Sequence, residues 1–195
     1  SVLGLILRGV FLGRQQDLDW LFKKGASYIF PDHFEAFSSL IPQEEQNELV
    51  EAYYKRLTGE DDLMRMAAAK AWALWEGECL SLQPNAETLE YFSDPFFATA
   101  LAKLECHYFI NRCFLEPNQI LRDLPKIEHL PAIIIHGRYD MVCTCDNSWI
   151  LHQSWPGSEL NIIRDAGHSA SEPGISSALV EATQNMAKRL GSVYN

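Results

Sequence analysis

Apolar residues crowd into a short run near the start of this chain, spread into helical spacing for about a hundred residues, and then crowd again. The first run, Val2–Arg8 (VLGLILR), is rich in branched side chains and is closed by Gly9. It reads as a parallel strand buried on both faces. From Gln15 to about Arg122 the pattern is helical and no strand is expected. Pro42–Thr58 places Leu49, Ala52, Tyr53 and Leu57 on one face and stops at Gly59. Asp61–Leu80 carries Met66, Ala69, Ala73 and Leu80 on one stripe. Asp94–Phe114 opens with an Asp cap before Pro95 and continues through Phe97, Leu101, Leu104 and Tyr108. After Leu130 short apolar runs return. They predict a strand at 131–136, a helix near 146–155, a strand at 159–164 and a helix near 174–190.

A strand, a helical block and then β-α-β-α is what remains of an α/β sheet interrupted by a helical insertion. Two predicted strand ends carry chemistry. Pro131–Asp140 (PAIIIHGRYD) ends in a loop with Asp140, and Glu159–His168 (ELNIIRDAGH) ends in a loop with His168. Acid and then base, each just past a strand, is the chain order of α/β-hydrolases. The serine that they serve belongs in a G-x-S-x-G elbow, and no such pentapeptide occurs in the sequence. The expected fold class is therefore α/β, the C-terminal part of an α/β-hydrolase parallel sheet with an inserted all-helical cap. The expected divisions are a core strand and entry to the cap at 1–14, the cap at 15–122, and a core segment with acid and base at 123–195.

The composition narrows the functions. With 195 residues, 47% of them hydrophobic, the chain can bury a core. A formal net charge of -10 argues against nucleic acid or an anionic membrane as the main partner. The five cysteines contain no C-x-x-C pair, so reduced thiols in a cytoplasmic protein are expected, and no metal or organic cofactor is implied. No apolar run is long enough to span a membrane, and Ser1–Val10 lacks the basic start of a signal peptide. A first residue of Ser agrees with a fragment or a processed chain. Oligomeric state is not legible.

Asp140 by itself reads as a turn residue capping the next helix. Paired with His168, 28 residues on, it reads as the carboxylate that orients a general base. Gly137 and Gly167 help the backbone turn beside each. Glu76 and Glu105 project from apolar helix faces, where a carboxylate is costly unless paired. Two readings stand: internal salt bridges to Lys70, Lys103 or Arg65, or two acids awaiting a cation from a substrate. His107 beside Cys106 has no companion at metal spacing. Cys143 is either a thiol near the site or a small buried apolar residue. Trp72, Trp75, Tyr108 and Phe109 read as core or as the lining of a pocket.

Leu7–Phe11 (LRGVF), Gly25–Pro31 (GASYIFP), Ala68–Gly77 (AAKAWALWEG), Glu105–Phe109 (ECHYF), His136–Cys143 (HGRYDMVC) and Asp165–Ser169 (DAGHS) together resemble the proline iminopeptidases, prolyl aminopeptidases of the α/β-hydrolase superfamily. The resemblance implies a serine exopeptidase that releases N-terminal proline from peptides. It implies Asp140 as triad acid, His168 as triad base, Glu76 and Glu105 as acids binding the free amino terminus, and Phe11 and Phe109 as lining of the proline pocket. Cys143 matches a thiol that confers sensitivity to thiol reagents. The residue after Glu105 is commonly Asn in the family and is Cys106 here. The oxyanion-hole segment and nucleophile elbow are outside the sequence, so the piece alone is expected to be inactive. The competing readings are another α/β-hydrolase, an esterase or amidase, and a non-catalytic remnant or binding module.

Overall fold

The computed structural model describes residues 2–191. The elements run β1 (Leu5–Arg8), α1 (Gln15–Phe22), α2 (Ala26–Ile29), α3 (Pro31–Ser38), α4 (Leu49–Thr58), α5 (Asp62–Leu80), α6 (Ala86–Phe92), α7 (Pro95–Ile110), α8 (Gln119–Asp123), β2 (Ala132–Gly137), α9 (Cys145–Gln153), β3 (Ser158–Ile163) and α10 (Pro173–Gly191). Short 3-10 turns lie at Gln43–Glu48, Arg112–Phe114 and Leu124–Lys126. The fold class is α/β. The chain divides into two compact units: residues up to Leu12 together with those from Pro117 on, and Gly13–Glu116.

The first unit is built on a parallel sheet in the order β1-β2-β3. Leu5 pairs with Ala132, and Ala132 with Ser158. β2 is central and every residue in it is buried. Alternate strand residues point to opposite faces, which explains its unbroken apolar run. Ala132 and Ile134 pack with Leu124, Leu151 and Trp155 on one face. Ile133 and Ile135 pack with Ile175, Ala178, Ala182 and Met186 on the other. Those last four fall on one stripe of α10, at the three- and four-residue spacing of a helix. β1 departs from the expectation of full burial: all four of its residues are half-buried. Among the described residues it pairs with β2 alone, so its far edge has no neighbour.

The second unit is all-helical. Its centre is aromatic. Phe37 stacks on Tyr53 with ring centroids 4.5 Å apart, and Phe22 stacks on Trp72 at 4.6 Å. The polar handles of these rings are satisfied inside: Tyr53 donates to the Phe37 carbonyl at 2.7 Å and Trp75 to the Leu21 carbonyl at 3.2 Å. α5 is capped by Asp61, which accepts from the N–H groups of Leu63 and Met64. It packs against α3, α4, α6 and α7, so its buried face is broad: Ala68, Ala69, Trp72, Ala73, Trp75, Gly77 and Cys79.

The expected stripes need correcting in detail. Met66 is 51% exposed on the turn before the crowded part of α5. On α7 the buried residues are Ala98, Ala102 and Cys106, while Leu104 and Tyr108 are exposed. Small side chains line that contact because the opposing face already carries indole rings. The predicted helix over 42–58 is a 3-10 turn followed by α4. The predicted helix over 94–114 ends at Ile110, after which Arg112, Cys113 and Phe114 are all left-handed, with φ of 51°, 54° and 56°.

Candidate active site

The ends of β2 and β3 are held together by their backbones before any side chain is considered. Arg138 donates its N–H to the Ile163 carbonyl at 2.8 Å and Tyr139 to the Ala166 carbonyl at 3.0 Å. This approach needs glycine at 137, because a Cβ there would lie 1.9 Å from the Gly167 oxygen. The Gly167 N–H is fixed by Glu172 Oε1 at 2.8 Å, and the His168 carbonyl accepts from the Arg8 guanidinium. The loops after two neighbouring strands thus meet.

At the meeting point His168 Nδ1 lies 2.8 Å from Asp140 Oδ2. Asp140 is 3% exposed. Its other oxygen, Oδ1, accepts from the N–H groups of Val142 (3.0 Å) and Cys143 (2.8 Å). One oxygen of the same carboxyl thus turns the loop and the other faces the histidine; Asp140 does not cap α9, whose N-cap position is Thr144. The His168 side chain is 14% exposed, so Nδ1 is committed inward while Nε2 remains for proton exchange. Gly9, with φ of +53°, sits against the ring.

Beneath this pair is a second histidine. His136, the fifth residue of β2, is fully buried. Its Nε2 is 2.8 Å from the Cys143 carbonyl and 3.3 Å from Asp140 Oδ2, and its Nδ1 is 2.6 Å from Ser148 Oγ. A carbonyl only accepts, so Nε2 carries the proton and Nδ1 accepts from the Ser148 hydroxyl. Burial holds its pKa below the ordinary imidazole value, against the opposing pull of Asp140.

In the helical unit Glu76 of α5 and Glu105 of α7 are brought together. Trp72 Nε1 donates to Glu105 Oε2 at 2.7 Å. Burial first, and then the charge and hydrogen bond of Glu105, hold the Glu76 carboxyl well above the usual carboxylate range. The indole donor favours the charge on Glu105, and the shared hydrogen bond favours the proton on Glu76. Of the cations considered from sequence, Arg65 is bound to Asp62 and the Gly59 carbonyl. Lys70 and Lys103 are exposed. Two acids sharing a proton form a receptor for a cation, which can displace that proton.

Phe11 follows β1 and is half-buried. Phe109 lies 5.7 Å from Phe22 and 6.3 Å from Trp72, ring to ring. It lines an open cleft of about 330 Å³ with Phe22, Leu18 and Leu49. Cys143 is buried, and the interactions described at this site come from its backbone N–H and carbonyl. Cys106 is fully buried, and burial raises its thiol pKa. Sequence reasoning gave no role at this site to His136, Ser148 or Arg8, and read Gly9 only as the close of a strand and Trp72 only as core or pocket lining. The one available signal was a histidine in an otherwise apolar strand, which must find partners when buried. No group of three or more His, Cys, Asp or Glu side chains among the described residues is arranged to hold a metal ion.

No protein-family model matches the chain. It is 48% identical over 182 residues to a probable proline iminopeptidase of Leptolyngbya boryana, covering 93% of this chain and 57% of that protein. It is 45% identical to a proline iminopeptidase of Xylella fastidiosa, covering 93% of this chain and 58% of that protein. It is 44% identical over 193 residues to one of Arabidopsis thaliana, covering 98% of this chain and 51% of that protein. The chain thus spans between half and three fifths of the length of these curated relatives. Among solved structures, an esterase from Exiguobacterium antarcticum is similar with a TM-score of 0.48 at 18% identity, covering 71% of this chain and 47% of that one.

Proposed function

We propose that this chain is the acid-and-base portion of a proline iminopeptidase of α/β-hydrolase fold, with the cap that selects its substrate. The observation that carries the reading is the 2.8 Å bond between His168 Nδ1 and Asp140 at two adjoining strand ends. The hydrogen-bonded acids Glu76 and Glu105 support it from the cap, as does the similarity to proline iminopeptidases over nearly all of the chain. The substrates are peptides with N-terminal proline, and the setting is the cytoplasm.

A serine from the remainder of the protein attacks the prolyl carbonyl. His168 takes the serine proton at Nε2 and gives it to the leaving amine, and Asp140 holds the imidazole by Nδ1–H and stabilises the imidazolium. Water repeats the route to release proline. Glu76 and Glu105 accept the protonated secondary amine of the substrate, and Phe11 and Phe109 cover its ring. An internal proline carries no such charge, so it cannot offset the cost of desolvating the acids. That cost makes the enzyme an exopeptidase.

The test uses the full-length protein. Glu76→Gln and Glu105→Gln are each expected to lower kcat/KM for a proline anilide by about 10- to 100-fold, or about 1.4–2.7 kcal/mol, and to spare a simple ester. Asp140→Asn is expected to cost both substrates about 10³–10⁴-fold. Equal losses on both substrates from the glutamate variants would show that those residues serve folding. An ester preference in the wild type would point to an esterase instead.

A further inference from the structure

We propose that His136 is a positioning residue for the Asp140–His168 pair, a neutral imidazole that fixes the loop from Asp140 to Cys143 and lends the positive end of its Nε2–H to the Asp140 carboxylate. This rests on the reading of Asp140 and His168 as acid and base, and it adds a group to which that reading gives no role.

The argument runs through the Cys143 peptide. Its N–H donates to Asp140 Oδ1 at 2.8 Å, and its carbonyl accepts from His136 Nε2 at 2.8 Å. The residue that helps set the carboxylate rotamer is therefore itself held by His136. The same Nε2 lies 3.3 Å from Asp140 Oδ2, the oxygen that receives His168. Asp140 Oδ2 thus faces two imidazoles, one that must change protonation during the reaction and one that must not.

Ser148 holds the second one still. With Nε2–H fixed by the acceptor-only Cys143 carbonyl, the Ser148 hydroxyl on α9 donates to His136 Nδ1 at 2.6 Å. A proton added at Nδ1 would require the Ser148 hydroxyl to turn and accept, and would place a cation in a site without solvent, since His136 is fully buried. Of the charged groups around it, Asp140 favours a proton on His136 and Arg8 and His168 oppose it; burial opposes it most. An apolar residue at 136 would suit the core of β2. It would also leave the Cys143 carbonyl and the Ser148 hydroxyl without their present partner.

Two readouts test this. In the 195-residue chain, histidine ¹⁵N spectra are expected to show His136 as the neutral Nε2–H tautomer. It should keep that form as pH falls through about 6.5, where a free imidazole is half-protonated. A Nδ1–H tautomer, or titration like a free imidazole, overturns the proposal. In the full-length enzyme, His136→Leu is expected to lower kcat for the proline anilide about 10-fold or more with KM within about twofold. His136→Gln, whose amide N–H falls near the place of Nε2, is expected to recover most of the loss. Equal kcat losses in both variants overturn it. If the Leu variant does not fold, the Gln variant decides alone. It is expected to keep the downfield Nδ1–H proton of His168 at its wild-type position, and a folded Gln variant that loses that resonance overturns the proposal. The spectra require no activity, so they settle the role of His136 even if the proline reading of the enzyme fails.

Discussion

At Gly9 the backbone is left-handed, with φ of +53°, and the hydrogen face of the residue lies against His168. An added Cβ would stand 2.9 Å from Cε1 and 3.2 Å from Nδ1 of that ring. Left-handed backbone costs a residue with a Cβ about 1–2 kcal/mol, and here the methyl must also push the imidazole off Asp140. Gly9→Ala is therefore expected to lower the melting temperature and also to shift or abolish the His168 Nδ1–H proton signal. A variant that melts lower but keeps that signal would show that Gly9 serves the backbone alone. The residue scale also separates the two buried ionisable devices by the state of their proton. The proton on His136 is locked by Ser148 and Cys143. The one on Glu76 is instead held by burial and by the neighbouring Glu105 carboxyl.

At the scale of elements, α5 offers a direct comparison between the stripe expected from spacing and the face that is buried. Met66→Gln is expected to change stability by less than about 0.5 kcal/mol, as at other exposed sites. Trp72→Ala is expected to cost about 3–5 kcal/mol, and to remove the donor to Glu105 as well. Denaturant unfolding of the two variants measures both. The contrast shows what was legible in the sequence. β2 was readable because Ile133, Ile134 and Ile135 are branched, consecutive and bounded by Pro131 and Gly137. The meeting of Asp140 with His168 was readable because each lies in the loop that follows a strand. The buried faces of α5 and α7 were not, since a helix packed on several sides buries small residues where neighbours crowd and leaves large ones outside. Nor was the His136 network, whose members come from a strand, a loop and α9, at spacings that no local period links. β1 has the composition of an interior strand and is half-buried here, since burial depends on what lies alongside.

For the whole molecule, pH is expected to act on the two units in opposite directions. Glu76 has its pKa raised above 4.5. Between 4.5 and that raised value the folded state holds the extra proton, so the stability contributed by Glu76 falls as pH rises. His136 has its pKa lowered below 6.5. From that lowered value up to 6.5 the unfolded chain holds the extra proton, so this contribution is complete above 6.5 and is lost on acidification. Amide exchange at about pH 5 and about pH 7, corrected for intrinsic rates, should show β2 gaining protection and α5 losing it as pH rises. Glu76→Gln and His136→Gln should each flatten the response of one unit only. A common response in both units, unchanged by either variant, would exclude these two groups as its source.

The division of the sheet unit between two stretches of chain has a consequence for how the protein is made. Leu5 pairs with Ala132, about 127 residues later, whereas the cap between them is built from contacts nearer in sequence. At a synthesis rate of about 5–20 residues per second, β1 waits roughly 6–25 seconds for the strand that completes it. Helices close in far less time, so the helical unit can fold before β1 meets β2. Its folding shortens the effective loop between β1 and β2 and so reduces the entropy of closing it. The helical unit, on this account, brings forward the pairing of the two strands that flank it in the chain. Pulse-labelling during refolding should find α5 and α7 protected before β1 and β2. Destabilising the cap, by Trp72→Ala for instance, should raise aggregation during synthesis more than it lowers the stability of the finished sheet.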